Sequence, residues 1–273
     1  MMDAATLLWE AAQWEKKMEV RPEVDPQPLK QVDGILPKDE VHVWQVDLRA
    51  WDKESDSLLE LLDAEEQERA ARFKFPAPRN QFVISRALLR RALGRYRQIE
   101  AREIRFRTTV NGKPHLDQGG DLHFNLSHSE GVTVFALARH RQVGIDVERI
   151  REDTNALELA ERFFSPKEVL WLRSQPAAQH IPSFFTCWTA KEAYIKAQGE
   201  GLSLPLSSFG VLPVVAGTSS KLHLEVYDDP EESSRWSMCQ LKLGPGLRAA
   251  LAVEGEGCKV RLGQWPSRGV DAK

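Results

Sequence analysis

The order of predicted elements points to an α+β protein in two halves, because strand, helices and strands are followed by a second run of strand, helices and strands. Two observations carry this. The segments VHVWQVDL (41–48) and VGIDVERI (143–150) alternate with period two, and helical spacing dominates from Asp63 to Tyr96 and again from Trp188 to Gln198. No short-period repeat or low-complexity tract competes with that reading.

The core is expected to open at the Val41 strand. Ahead of it, residues 5–18 place Leu8, Ala11, Ala12, Trp14 and Met18 near one helical face, and Pro22, Pro26 and Pro28 follow. Residues 1–40 therefore read as an appendage of short helix and proline-rich linker. From Asp63 to Tyr96 the helical pattern is broken at Pro76 and Pro78, which predicts two helices with a kinked joint. On the second, Phe82, Ser85, Leu89, Ala92, Leu93 and Tyr96 make a packing face, while Arg79, Arg86, Arg90 and Arg97 make a stripe that presents guanidinium groups.

After Ile104 the pattern changes to strand and turn: IRFRTTV, the turn Asn111-Gly112, FNLSHS, VTVFALA (132–138) and VGIDVERI. Asn155–Leu172 and Trp188–Gln198 read as helices, and Phe209–Val260 as strands. The expected division is an N-terminal half at 41–142, a C-terminal half at 143–264 and a tail at 265–273.

The 273 residues are 42% hydrophobic and 28% charged, with a net charge of -3, which excludes a disordered chain. Cys187, Cys239 and Cys258 are too widely spaced for a disulfide framework or a CxxC metal pair, and a reducing cytoplasm is expected. No apolar run approaches membrane-helix length, and Asp3 and Glu10 interrupt a signal-peptide layout. Charge is segregated: Arg69 to Arg107 holds twelve Lys or Arg against Glu100 and Glu103, a net of +10. Both an anionic partner and a solvated basic helix face account for it.

Four short segments carry candidate chemistry. In VGIDVERI the period of two sets Gly144, Asp146 and Glu148 on one face, so two carboxylates repel unless a cation lies between them; a solvent-facing edge strand is the plain alternative. Glu192 and Lys196 are four apart on a helix face and point together, as do many surface pairs, and Thr189 with Glu192 has capping-box spacing. In FNLSHS, Asn125, Ser127 and Ser129 alternate with Leu126 and His128, offering hydroxyl, imidazole and backbone donors to a phosphate, although a lone histidine in such a turn is more often structural. A hydrolase triad does not fit, because adjacent Ser127 and His128 diverge on extended backbone and no GxSxG surrounds a serine. Lys113, in Asn111-Gly112-Lys113-Pro114, stands at a turn that suits either a plain hairpin or a point charge aimed at phosphate.

Taken in order, the Arg-rich helices, NGKPHL, FNLSHS, VGIDVERI, FFSPKE (163–168) and WTAKEAYIKAQGEGLSLPL (188–206) resemble the Sfp-type 4′-phosphopantetheinyl transferases. These enzymes modify carrier proteins of polyketide, nonribosomal peptide and fatty acid synthesis. The resemblance implies a pseudo-dimer of two similar α/β halves, a monomer, with coenzyme A in the cleft between the halves. It implies transfer of 4′-phosphopantetheine from coenzyme A to a serine of an apo acyl or peptidyl carrier protein, releasing 3′,5′-ADP. Carried over residue by residue, Asp146, Glu148 and Glu192 would hold Mg2+ against the pyrophosphate, which suits a small, hard cation. Glu192 would be the base, and Lys196 would contact the phosphates and assist the leaving group. Lys113, Ser127 and His128 would grip phosphate groups, with Arg69, Arg79 and Arg86 at the adenosine end. Neither a nucleic-acid partner nor a membrane is implied. Two other classes use similar residues: a magnesium-dependent nucleotide pyrophosphohydrolase, and a nucleic-acid-binding module, which lacks support from pI or motif.

Overall fold

Strand β1 (Glu40–Asp47) sits at the centre of the first sheet because its two faces are both apolar: Val41 and Val43 point one way, Trp44 and Val46 take part in the opposite packing. The computed structural model describes residues 35–265 apart from 119, 200, 202–203 and 215–219. The expected helix at 5–18, its proline-rich linker up to residue 34 and the tail from 266 lie outside the described residues. The first sheet has the order β11-β1-β5-β4, with β4 at Leu122–Ser129, β5 at Val132–Arg139 and β11 at Lys259–Gln264. The second has the order β6-β10-β9-β8-β7, formed by Val143–Arg149, Leu247–Glu254, Trp236–Leu241, Lys221–Val226 and Phe209–Pro213. A hairpin of β2 (Phe106–Thr108) and β3 (Pro114–Leu116) stands beside the first sheet.

The two sheets share an apolar layer in which Val41, Val43, Val134 and Ala136 meet Val143, Ile145, Leu251 and Val253. A helix covers each outer face. Helix α1 (Ala64–Ala71) precedes α2 (Pro76–Arg97), which buries Val83, Leu88, Leu89, Ala92 and Leu93 against the first sheet. Helices α3 (Ala156–Phe163) and α4 (Pro166–Ser174) lead to α5 (His180–Gln198), which packs Ala190, Ala193 and Ala197 with Ala250 and Ala252 of the second sheet. The architecture is α+β in two halves, as expected, and β11 crosses back to pair in parallel with β1 of the first sheet.

Several boundaries differ from expectation for local reasons. The two helices expected around Pro76 and Pro78 are present, but the break falls ahead of both prolines: Pro76 begins α2, since the first helical turn needs no proline N–H. Ser165-Pro166 divides the predicted Asn155–Leu172 helix, with Ser165 and Glu168 forming a capping box. Helix α5 starts eight residues before Trp188, so Thr189 lies mid-helix, donates to Phe185 O at 2.9 Å and caps nothing.

Candidate active site

Strand β6 commits Val143, Ile145 and Val147 to the layer between the sheets, so Gly144, Asp146 and Glu148 turn toward α5. Gly144 sets how close that helix comes: a Cβ there would lie 2.1 Å from Ala193 O and 2.3 Å from Ala197 N. Backbone touches backbone at this crossing, which brings Glu192 and Lys196, on the turns around Ala193, over Asp146.

The edge strands β4 and β6 are joined by side chains. Ile145 N donates to Asn125 Oδ1 at 2.9 Å, Val147 N to Ser127 Oγ at 3.4 Å and Arg149 N to Ser129 Oγ at 3.0 Å. The alternation seen in FNLSHS is thus a ladder across the seam between the halves. Its hydroxyls then donate onward, Ser127 to Asp146 Oδ1 at 2.7 Å and Ser129 to Glu148 Oε2 at 2.9 Å.

Lys196 reaches the same cluster from α5, with its ammonium 2.5 Å from Asp146 Oδ1 and 3.0 Å from Ser127 Oγ. Asp146 Oδ2 is buried and has no hydrogen-bond partner among the described residues. Burial raises Glu192 above the usual carboxylate value; Lys196 opposes this, while Asp146 and Glu148 add to it. Glu148 is raised by burial too, with Ser129 opposing and Asp146 adding. Three carboxylates against one ammonium leave the cluster short of positive charge.

His128 stands at the rim, its Nδ1 2.8 Å from Gln81 Nε2 of α2. Its imidazole is held below its ordinary value by partial burial and by the nearby charges of Lys196 and Arg69. Arg69 lies with its guanidinium 4.8 Å over the Phe82 ring. Ser127, Asp146, Glu148, Glu192 and Lys196 therefore form one cluster, with His128 beside it and Arg69 in electrostatic reach of His128.

The remaining predicted cations are engaged elsewhere. Arg79 pairs with Asp56 at 3.0 Å, and Arg86 pairs with Glu66 at 2.7 Å under a contact with the Phe106 ring. Arg90 is fully buried between Asp63 and Glu66 and donates to Ile104 O. The stripe read as presenting guanidinium groups is therefore partly internal, because Asp63 and Glu66, the capping-box residues of α1, neutralise it. Lys113 donates its ammonium to Ala197 O at 2.8 Å, within the protein.

Sequence reasoning missed a second ion pair. Lys191, next to Glu192, turns the other way and donates to Glu168 Oε1 and Oε2 at 2.9 and 2.7 Å and to Phe209 O at 2.7 Å. Both side chains are 0% exposed, and Glu168 also accepts from Ser165 N and Val211 N. The FFSPKE motif contained Glu168, but nothing local in it identifies the partner.

Among the described residues, no group of three or more His, Cys, Asp or Glu side chains is arranged to hold a metal ion by itself, and no helix is long and apolar enough to cross a membrane. Residues 142–253 match the 4′-phosphopantetheinyl transferase superfamily, and residues 44–140 match the 4′-phosphopantetheinyl transferase N-terminal family. The chain is 36% identical over 232 residues to 4′-phosphopantetheinyl transferase HetI of Nostoc sp., covering 81% of this chain and 91% of that one. It is 31% identical over 204 residues to 4′-phosphopantetheinyl transferase Sfp of Bacillus subtilis, covering 74% and 86% respectively. With 4′-phosphopantetheinyl transferase gsp of Aneurinibacillus migulanus the identity is 37% over 166 residues, covering 58% and 68%.

Proposed function

The chain belongs to the 4′-phosphopantetheinyl transferase superfamily, and from that premise we propose that it moves 4′-phosphopantetheine from coenzyme A to a serine of an apo acyl or peptidyl carrier protein, with magnesium. The observation that supports this best is the cluster of Asp146, Glu148 and Glu192 around Lys196 in the second half, joined at the seam by Ser127 of the first.

The serine oxygen attacks the pantetheine-side phosphorus, a new P–O bond forms, and the bridging bond of the pyrophosphate breaks to release 3′,5′-ADP. Glu192 takes the serine proton; its raised carboxyl pKa suits a base better than an ordinary glutamate. Lys196, held between Asp146 and Ser127, contacts the pyrophosphate and offsets charge on the leaving group. His128 and Arg69 bind phosphate at the rim, with Ser127 as a hydroxyl donor behind them. Arg79 and Arg86 reach the adenosine end only by leaving Asp56 and Glu66.

The donor set fits magnesium: hard carboxylate oxygens, one of them the buried, unpaired Asp146 Oδ2. Asp146, Glu148 and Glu192 would hold the ion together with phosphate oxygens and water. When bound, magnesium supplies charge stabilisation at the pyrophosphate. The enzyme is expected to act as a monomer in the cytoplasm, with 41–142 and 143–264 as its halves.

The test is to incubate the protein with coenzyme A, magnesium and an apo carrier protein and weigh the carrier. A mass gain of one phosphopantetheine on serine supports the reading. Release of 3′,5′-ADP without a carrier would favour a pyrophosphohydrolase instead. Asp146→Ala and Glu192→Ala are each expected to abolish transfer with the fold retained, and to be strongly non-additive in combination because both act on one metal.

A further inference from the structure

Lys113 belongs to the β2–β3 turn of the first half, yet two of the three acceptors of its ammonium lie in the second. It donates to Ala197 O at 2.8 Å, Gln142 Oε1 at 3.2 Å and Val143 O at 3.4 Å. Ala197 lies in the last turn of α5, where carbonyls have no intrahelical donor and a cation complements the helix dipole. Val143 is the first residue of β6. The side chain passes under the helix end, since a Cβ on Gly199 (φ +79°), the residue closing α5, would sit 3.1 Å from Lys113 Cδ. Burial lowers this lysine to about 8, so the ammonium is a confined group and not a freely solvated one.

One cation therefore ties the end of the helix carrying Glu192 and Lys196 to the start of the strand carrying Asp146. Ala197 directly follows Lys196, and Val143 is three residues before Asp146. A shift at this joint changes the Lys196–Asp146 geometry, and reacting groups misplaced by about 1 Å lose about a hundredfold in rate. We infer that Lys113 is a positioning residue for the Asp146–Glu192–Lys196 cluster and not a phosphate ligand of coenzyme A. The inference rests on the proposed reaction for its kinetic readout.

Lys113→Met and Lys113→Arg separate the two roles when kcat with an apo carrier is measured beside the calorimetric Kd of coenzyme A without a carrier. A positioning role predicts that Lys113→Met lowers kcat by about tenfold or more while Kd changes by less than about twofold. Lys113→Arg should recover part of the loss, because a charged donor still reaches the carbonyls. Gln142→Leu, which removes one of the three oxygens and keeps the lysine, should lower kcat about two- to threefold at unchanged Kd, and it serves if the Met variant does not fold. A Kd raised about tenfold with kcat retained at saturation, or no change in either quantity, overturns the positioning role. An inactive wild type that still binds coenzyme A would count against the transfer reading, while a weaker Kd in Lys113→Met counts against the positioning role alone.

Discussion

Helix α5 carries two lysines five residues apart, and each meets an acid in a different way. Lys191 and Glu168 are sealed from solvent, and every oxygen of the glutamate has a donor. Lys196 and Asp146 meet at the seam, where Lys196 remains 28% exposed and Asp146 Oδ2 has no partner among the described residues. The first pair is saturated and can only hold α4, α5 and β7 together. The second is unsaturated, and an unsatisfied buried oxygen is costly unless something binds it in use. The contrast separates a saturated ion pair from an unsaturated one, the pair on which the proposed function rests, without reference to charge, which is the same in both.

The largest effect that tests the contrast is loss of one partner from the sealed pair. Lys191→Met or Glu168→Gln is expected to cost ~3–5 kcal/mol in urea unfolding, because the other charge remains buried. The double variant Glu168→Leu/Lys191→Met should recover only part, since Ser165 N and Val211 N also lose their acceptor. Near-normal stability in the single variants would break the distinction.

At the seam the weight shifts from stability to rate. Lys196→Ala is expected to cost ~2.7–4 kcal/mol in turnover, by analogy with loss of one oxyanion donor, and no more than about 1 kcal/mol in stability. Lys196→Arg should rescue partly, because a planar fork does not occupy the position of a compact ammonium. Unchanged turnover at saturating coenzyme A would return Lys196 to the status of an ordinary helix-surface partner.

Gly144→Ala acts on one pair and not the other. Its new Cβ, placed 2.1 Å from Ala193 O, must push α5 off β6. A stability loss of ~1–3 kcal/mol is expected, with a larger loss of turnover and the Lys191–Glu168 contact retained in a crystal structure. Equal losses of stability and rate would mean that the crossing sets packing alone.

The smallest effect concerns pH at Lys113, which burial lowers from 10.5 to about 8 and which Glu254 of β10 partly restores. His123 of β4 also faces it and is held low by burial and by the lysine charge. Between pH 8 and 10.5 the unfolded chain holds this proton more tightly than the folded one. Stability of the wild type relative to Lys113→Met should therefore rise across that window. A flat profile over the same range in chemical denaturation would show that the carbonyls fully compensate the buried ammonium.

The sequence by itself determined which side chains share a face. Period two put Gly144, Asp146 and Glu148 together, a spacing of four put Glu192 with Lys196, and alternation grouped Asn125, Ser127 and Ser129, because these relations depend only on local backbone geometry. Only the tertiary structure decided the partners. Lys196 finds Asp146 across 50 residues, Lys191 finds Glu168 across 23, and Lys113 finds Ala197 O across 84. Nothing in local spacing distinguishes Lys191 from Lys196, or a phosphate-facing Lys113 from one capping a helix. The choice follows from how closely α5 approaches β6 at Gly144 and where the β2–β3 turn meets the helix end. Pairings at such separations are set by packing of the whole chain, because a charge is neutralised by whichever partner the fold brings within reach and desolvates with it.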